Sequence, residues 1–166
     1  MKTQTTILEQ TKEDLVNLLS TALYGSNYLS ADYEEAVEYD EDDSYEEIMA
    51  EILLNGGKIL ITDRYAEDGE VYGNLPCEVK EDEENFGCFI TTYFVTLKDI
   101  VSGLAKAANG TFNVGENDEF QPDWRERNIE FAKRSFNAFA FDEREWDLTT
   151  ADCLMQIILF DEIVYG

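Results

Sequence analysis

Residues 149–166 read TTADCLMQIILFDEIVYG, where Leu154, Met155, Ile157, Ile158, Leu159, Phe160, Ile163 and Val164 leave only Gln156, Asp161 and Glu162 to face water. A helix that is apolar on nearly every side has to be covered on nearly every side. Thr149 stands as its N-cap with Asp152 three residues on. Ala151 to Val164 then makes about four turns, short of the ~20 residues that cross a bilayer. The stretch is expected to be the central helix of a core, and any fold for this chain has to supply its neighbours.

A chain of 166 residues is read as a single domain, 1–166, long enough to bury such a helix. With 44% apolar residues, ten Phe and nine Tyr, it is not a disordered acidic tail. Its surface is another matter: 37 Asp and Glu face 12 Lys and Arg, with no His, for a net charge of -25. Solubility needs a magnitude of only about 2 to 8 in a small domain, and the excess costs stability through self-repulsion. This sign repels phosphate backbones and anionic lipid, so neither nucleic acid nor membrane is an expected partner. Basic protein surfaces are. Cys77, Cys88 and Cys153 are odd in number and lack C-x-x-C spacing, and the N-terminal MKTQTTILEQTKEDL has no apolar signal region. Both point to a reduced, cytoplasmic setting.

Thr11 opens an expected amphipathic helix in which Leu15, Leu18, Leu19, Ala22 and Leu23 share a face until Gly25. Ser30 is read as the start of a short second helix. Ser44 and Glu47 form a capping box for a third, with Ile48, Ile52 and Leu53 inward and Asn55, Gly56 and Gly57 as its stop. Lys58 to Tyr65 is β-branched and apolar, and Ala66 to Gly69 is expected to turn it back through Glu70 to Tyr72 as a hairpin. Pro76 ends or edges that second strand, and Cys88 to Val95 supplies a third. Thr96 and Asp99 cap a helix that carries Ile100, Val101, Leu104 and Ala105 and stops at Asn109 and Gly110. Beyond a loop, Pro122 suits the first turn of a helix with Ile129, Ala132, Phe136, Phe139 and Ala140 on one face and Arg125, Arg127, Lys133 and Arg134 on the other. The expected class is α+β, with about five helices around the apolar C-terminal one and a small three-stranded antiparallel sheet.

Between Asp32 and Glu51 there are eleven acidic residues, and no base occurs from Glu13 to Gly57. If mostly helical, those twenty residues span ~30 Å and carry about one charge per 2.7 Å, against one per ~1.7 Å of B-DNA axis. Glu81 to Glu84 is a second acidic loop that extends such an array, and Tyr28, Tyr33, Tyr39 and Tyr45 supply aromatic anchors. The bland reading is a solvated face whose i,i+4 repulsions cost only ~0.2 to 0.5 kcal/mol per pair. An EF-hand frame places Asp40, Asp42, Ser44, Glu46 and Glu51 at ligand positions, but Tyr45 stands where the loop needs Gly, so no metal or cofactor is expected. Without His, Ser–His and Cys–His nucleophiles and His-bound metals are excluded. Asp63 followed by Glu78-Val79-Lys80 is similar to the carboxylate pair and Lys of metal-dependent nucleases. A chain of this charge would repel such a substrate. The basic face at Arg125 to Arg134 alternates with Glu126 and Glu130, which suits salt bridging within its own helix, or reception of the acidic tract of another copy in a homodimer.

The segments LVNLLSTALYGSNYLS, LLNGGKILITD, EDGEVY, VTLKDIVSGL and ADCLMQIILFDEIVYG together resemble a group of small acidic proteins encoded on plasmids, conjugative elements and prophages of gut bacteria. That resemblance implies a mobile-element context, in which antirestriction and anti-CRISPR proteins include acidic mimics of DNA. The expectation is a non-enzymatic binding protein that occupies the DNA site of a nucleic-acid-binding defence protein. Its expected contacts are Asp32, Glu34, Glu35, Glu38, Asp40, Glu41, Asp42, Asp43, Glu46 and Glu47, with Tyr33, Tyr39 and Tyr45 as anchors. The alternatives are a metal-dependent hydrolase built on Asp63 and Glu78, and a structural accessory protein with no mimicry.

Overall fold

The computed structural model describes residues 4–24, 26, 28–34, 38–66, 69–112 and 148–165. In chain order the elements are α1 (Gln4–Tyr24), β1 (Leu29–Asp32), α2 (Tyr45–Leu54), β2 (Lys58–Asp63), β3 (Cys77–Glu81), β4 (Phe89–Thr96), α3 (Leu97–Asn109) and α4 (Leu148–Phe160). The class is α+β, with four helices and four strands among the described residues. The basic helix expected from Pro122 to Ala140 falls outside them.

All strand pairs are antiparallel, in the order β1-β2-β4-β3. Two expectations change here. Leu29–Asp32 is not the start of a helix: it pairs with β2 from Leu29 opposite Asp63 to Asp32 opposite Leu60. Nor does Lys58–Asp63 turn back into residues 70–72, because its second neighbour is β4, reached after β3 has formed the far edge. The two-residue periodicity of a half-buried strand was visible in β2, but its partners are set by which apolar faces align, not by the nearest turn signal.

One face of the sheet carries the core. Leu29, Ile59, Ile61, Asp63, Thr91, Tyr93 and Val95 are buried in alternate positions, while Ser30, Lys58 and Glu78 point the other way and are exposed. On that second face Lys58 lies over the Phe94 ring at 4.9 Å, and the Thr62 and Thr92 hydroxyls meet at 3.2 Å. Helix α4 packs between α1 and α3, α1 rests on α2, and α2 and α3 meet β2 and β4. Leu154, Met155, Ile157 and Leu159 of α4 are each at most 1% exposed, so the demand made by the apolar stretch is met. Full burial of a side chain of this size is worth about 1.5–3 kcal/mol.

Helix ends follow local chemistry. Ser44 caps α2 with Glu47 returning the bond, and Thr96 and Asp99 do the same for α3, as their spacing predicts. Gly110 closes α3 at φ 68. Helix α1 begins seven residues before Thr11, since Gln4 to Gln10 contains no Gly or Pro to stop it. Helix α4 stops earlier than Val164: Asp161 turns left-handed at φ 57, and the chain leaves the helix there. Asp152 does not cap this helix; its carboxylate accepts from Tyr28 and Gln156 instead. Among the described residues no helix is long and apolar enough to cross a membrane.

Candidate functional site

The acidic tract runs from the edge of the sheet to the start of α2. Asp32 ends β1, Tyr33 and Glu34 follow it, Glu35 falls outside the described residues, Glu38 to Asp43 form the approach to α2, and Tyr45, Glu46 and Glu47 are its first turn. Asp32, Glu34, Glu38, Asp40, Glu41 and Asp42 are exposed. Tyr39 is 57% exposed and Tyr45 43%. The ion pairs among the described residues are Lys12–Glu51, Lys80–Glu78 and Lys106–Asp161, and none of them involves residues 32–47.

The tract is not the continuous helical array that the charge spacing suggested. Among the described residues of Asp32–Glu51 only Tyr45 to Glu51 is helical, because Ser44 caps the helix at that point and Leu29–Asp32 is held as an edge strand. Its ends are tied together instead. The Tyr45 hydroxyl donates to Asp32 Oδ1, the Tyr33 amide donates to the same oxygen at 2.7 Å, and the Tyr33 and Tyr45 rings lie 5.1 Å apart. Burial and the Asp32 carboxylate raise the Tyr45 phenol above its ordinary value, so it stays a donor. Asp43 accepts from the Asp40 amide at 3.1 Å, and hydrogen bonds from Ser44 hold Glu47 below the usual carboxylate range. Asp32, Asp43 and Glu47 therefore shape the face, while Glu34, Glu38, Asp40, Glu41 and Asp42 present it.

Glu81 to Glu84 does not extend this face. Glu81 ends β3, the opposite edge strand, and the others follow it; Glu81 is level with Phe89 while Asp32 is level with Leu60 and Phe94. Three strand spacings and five residues separate them, about 14 Å across the sheet and roughly 17 Å along it.

The hydrolase constellation dissolves in the same registry. Asp63 lies in one row with Thr91 and Val79, whereas Glu78 lies in the next row with Thr92 and Thr62, so the two carboxylates point to opposite faces with β4 between their strands. Lys80 pairs with Glu78 at 3.2 Å on the exposed side. The two acids cannot share a cation.

Asp63 belongs to a different assembly, which the sequence reading missed. Its Oδ1 accepts the Tyr65 amide at 2.9 Å and its Oδ2 the Tyr165 hydroxyl at 2.8 Å. The Tyr28 hydroxyl donates to Asp152, and the Tyr28 ring sits 4.5 Å from that of Tyr165 and 5.9 Å from that of Tyr65. Gln156, fully buried rather than facing water, donates to Asp152 at 2.8 Å and to the Tyr165 carbonyl at 3.0 Å, and accepts the Val164 and Tyr165 amides at 2.8 Å each. The tail after α4 is thereby fastened to the sheet and to β1's entry. Sequence parity carried one usable sign: Asp63 alternates with Ile59 and Ile61, which places it inward. Nothing in the spacing joined Tyr28, Asp152 and Tyr165.

No family model, curated protein or solved structure matches this chain.

A cleft of about 170 Å³ lies between α3, the end of α4 and residues Asn74 and Leu75. Ligand pockets are commonly about 300–1,000 Å³. Lys106 and Asp161 pair across it, so their charges are already answered.

Burial raises the carboxyls of both Asp63 and Asp152 above their ordinary value of 3.8. A carboxyl with a raised folded-state pKa adds stability that is complete below the unfolded value and is lost as pH rises through the folded one. Glu47 and Asp82, both lowered by hydrogen bonds, act in the opposite sense from the exposed surface. Relief of self-repulsion on acidification reinforces the two aspartates. Urea denaturation of Asp63→Asn and Asp152→Asn, followed from pH 7 down towards the ordinary carboxyl range, is expected to show a flatter gain than the parent. Identical slopes would mean that these groups titrate as they do in the unfolded chain.

Proposed function

We propose that this chain is a non-enzymatic binding protein whose acidic tract occupies a basic protein surface, most sharply the DNA site of a nucleic-acid-binding defence protein. The observation that supports the reading best is that Glu34, Glu38, Asp40, Glu41 and Asp42 are exposed and meet no cation among the described residues, with the exposed rings of Tyr39 and Tyr45 in the same tract. Acidic side chains alone give steering and salt dependence; the rings add the area that makes an interface adhesive. The cross-tie from Tyr45 to Asp32 presets the face, which lowers the ordering cost of binding. The resemblance to acidic mobile-element proteins fits the same role.

The test uses residues that present the face and spares those that shape it. Glu34, Glu38, Glu41 and Asp42 are replaced together by Lys, and both proteins are used for low-salt capture from a gut-bacterial lysate, with elution by duplex DNA. The parent is expected to retain a DNA-binding protein that DNA releases, and the variant to retain at least about tenfold less, a change of 1.4 kcal/mol, with unaltered thermal unfolding. Raising salt should weaken the parent's binding, because exposed charges are screened beyond about 8 Å at physiological ionic strength. Equal retention by the two proteins, or capture of ribosomal proteins alone, would reduce the tract to a solvated face.

A further inference from the structure

The β3–β4 connection holds the most exposed apolar side chain among the described residues: Phe86 is 98% exposed. Its loop is closed. Beyond the last ladder pair, Glu81 with Phe89, the Asp82 amide donates to the Cys88 carbonyl at 2.8 Å and the Cys88 amide to the Asn85 carbonyl at 3.0 Å. Asp82 Oδ1 accepts the Glu84 amide at 2.9 Å, its Oδ2 accepts the Asn85 side chain at 2.9 Å, and Gly87 completes the turn at φ 83. A ring carried on a fixed turn reaches a partner at little ordering cost. Val79, on the strand that leads into this turn, is also 39% exposed.

The surroundings select the chemistry of whatever covers this ring. Glu81, Glu83 and Glu84 are exposed beside it, and of the described bases Lys80 is paired with Glu78 and Arg64 acts on Asp82. Anionic lipid is repelled by that charge, and so is the acidic face of a second copy. We infer that the β3–β4 hairpin is a second docking surface, which inserts Phe86 into an apolar cleft rimmed by Lys and Arg on a partner protein. It lies at the opposite edge and opposite end of the sheet from the acidic tract, so it stands or falls independently of that face.

The probes are two synthetic helical peptides of equal length and charge, one of Lys and Leu with an apolar face and one of Lys and Ser without it. Each is titrated at low salt against the parent, Phe86→Ser and Phe86→Trp by fluorescence anisotropy. The Lys/Leu peptide is expected to bind the parent and Phe86→Trp about tenfold more tightly than Phe86→Ser, the scale of burying one aromatic ring. Affinity for the Lys/Ser peptide should be the same for all three. With a ring this exposed, Phe86→Ser leaves the fold intact. Equal Lys/Leu affinities for the parent and Phe86→Ser would overturn the proposal. So would a Phe86-dependent dimer in sedimentation, which makes the occupant a second copy, or Phe86-dependent flotation with phosphatidylcholine vesicles, which makes it a lipid surface. Repeating the titration with Glu34, Glu38, Glu41 and Asp42 all changed to Lys should preserve the Phe86 difference, which separates this surface from the acidic tract.

Discussion

Gln156→Leu is expected to destabilise the protein by about 3–5 kcal/mol, although leucine matches the apolar character of the helix around it. The reason lies in what the amide holds. Its oxygen accepts the Val164 and Tyr165 amides, and its nitrogen donates to Asp152 and to the Tyr165 carbonyl. Removing a partner from a buried polar group costs about 1–3 kcal/mol for each group left unmet, and some of these regain water once the tail lifts. Release of the tail also withdraws the Tyr165 hydroxyl from Asp63, which leaves a buried carboxylate with one donor fewer. Urea unfolding should show a lower midpoint, and protease should cut behind α4 before global unfolding. A midpoint shift worth less than about 1 kcal/mol would mean that the tail is not fastened through Gln156.

Gly103→Val should cost about 3 kcal/mol or more, from the opposite physical cause. Helix α3 meets α4 at this glycine so closely that a Cβ there would lie 2.5 Å from Ile158 Cγ1 and 2.7 Å from Ile158 Cα. A side-chain atom can rotate aside, but a backbone atom cannot. The helices have to separate, and contacts along the whole α3–α4 seam loosen together. Ile158→Ala alone opens a cavity, yet in the Gly103→Val protein it removes one of the two clashes. The double variant is therefore expected to be more stable than the sum of the two single losses by about 1–2 kcal/mol, measured as a thermodynamic cycle. Ser102→Ala, exposed one residue earlier, should stay within about 0.5 kcal/mol of the parent. Simple additivity in the cycle would show that the seam is not tightest at this pair.

Several elements could be read from the chain before any coordinates because their causes are local. The capping boxes Ser44–Glu47 and Thr96–Asp99 involve residues three apart, and both form. The face of α1 bearing Leu15, Leu18, Leu19 and Ala22 is buried as its spacing required. The hairpin after Lys58–Asp63 failed for the converse reason: Ala66 to Gly69 offered a turn, but the better-matched partner for Ile59 and Ile61 was the Tyr93 and Val95 row some thirty residues later. Leu29–Asp32 is too short for periodicity to tell strand from helix, and only its pairing with β2 decides.

Site residues divide along the same line. Charge is additive over a sequence and a run of apolar residues demands cover, so the chain by itself determined that Asp32 to Glu51 would be densely negative and that Leu154, Met155, Ile157, Ile158, Leu159 and Phe160 would be enclosed. Direction and partnership are not additive. Tertiary structure alone decided that Asp63 and Glu78 face opposite ways, that Glu81 to Glu84 stands at the far corner from the tract, and that Gln156 turns inward to hold the tail. Each of these depends on the registry of strands or the docking of a helix, which brings together residues from distant parts of the chain and which no local spacing encodes.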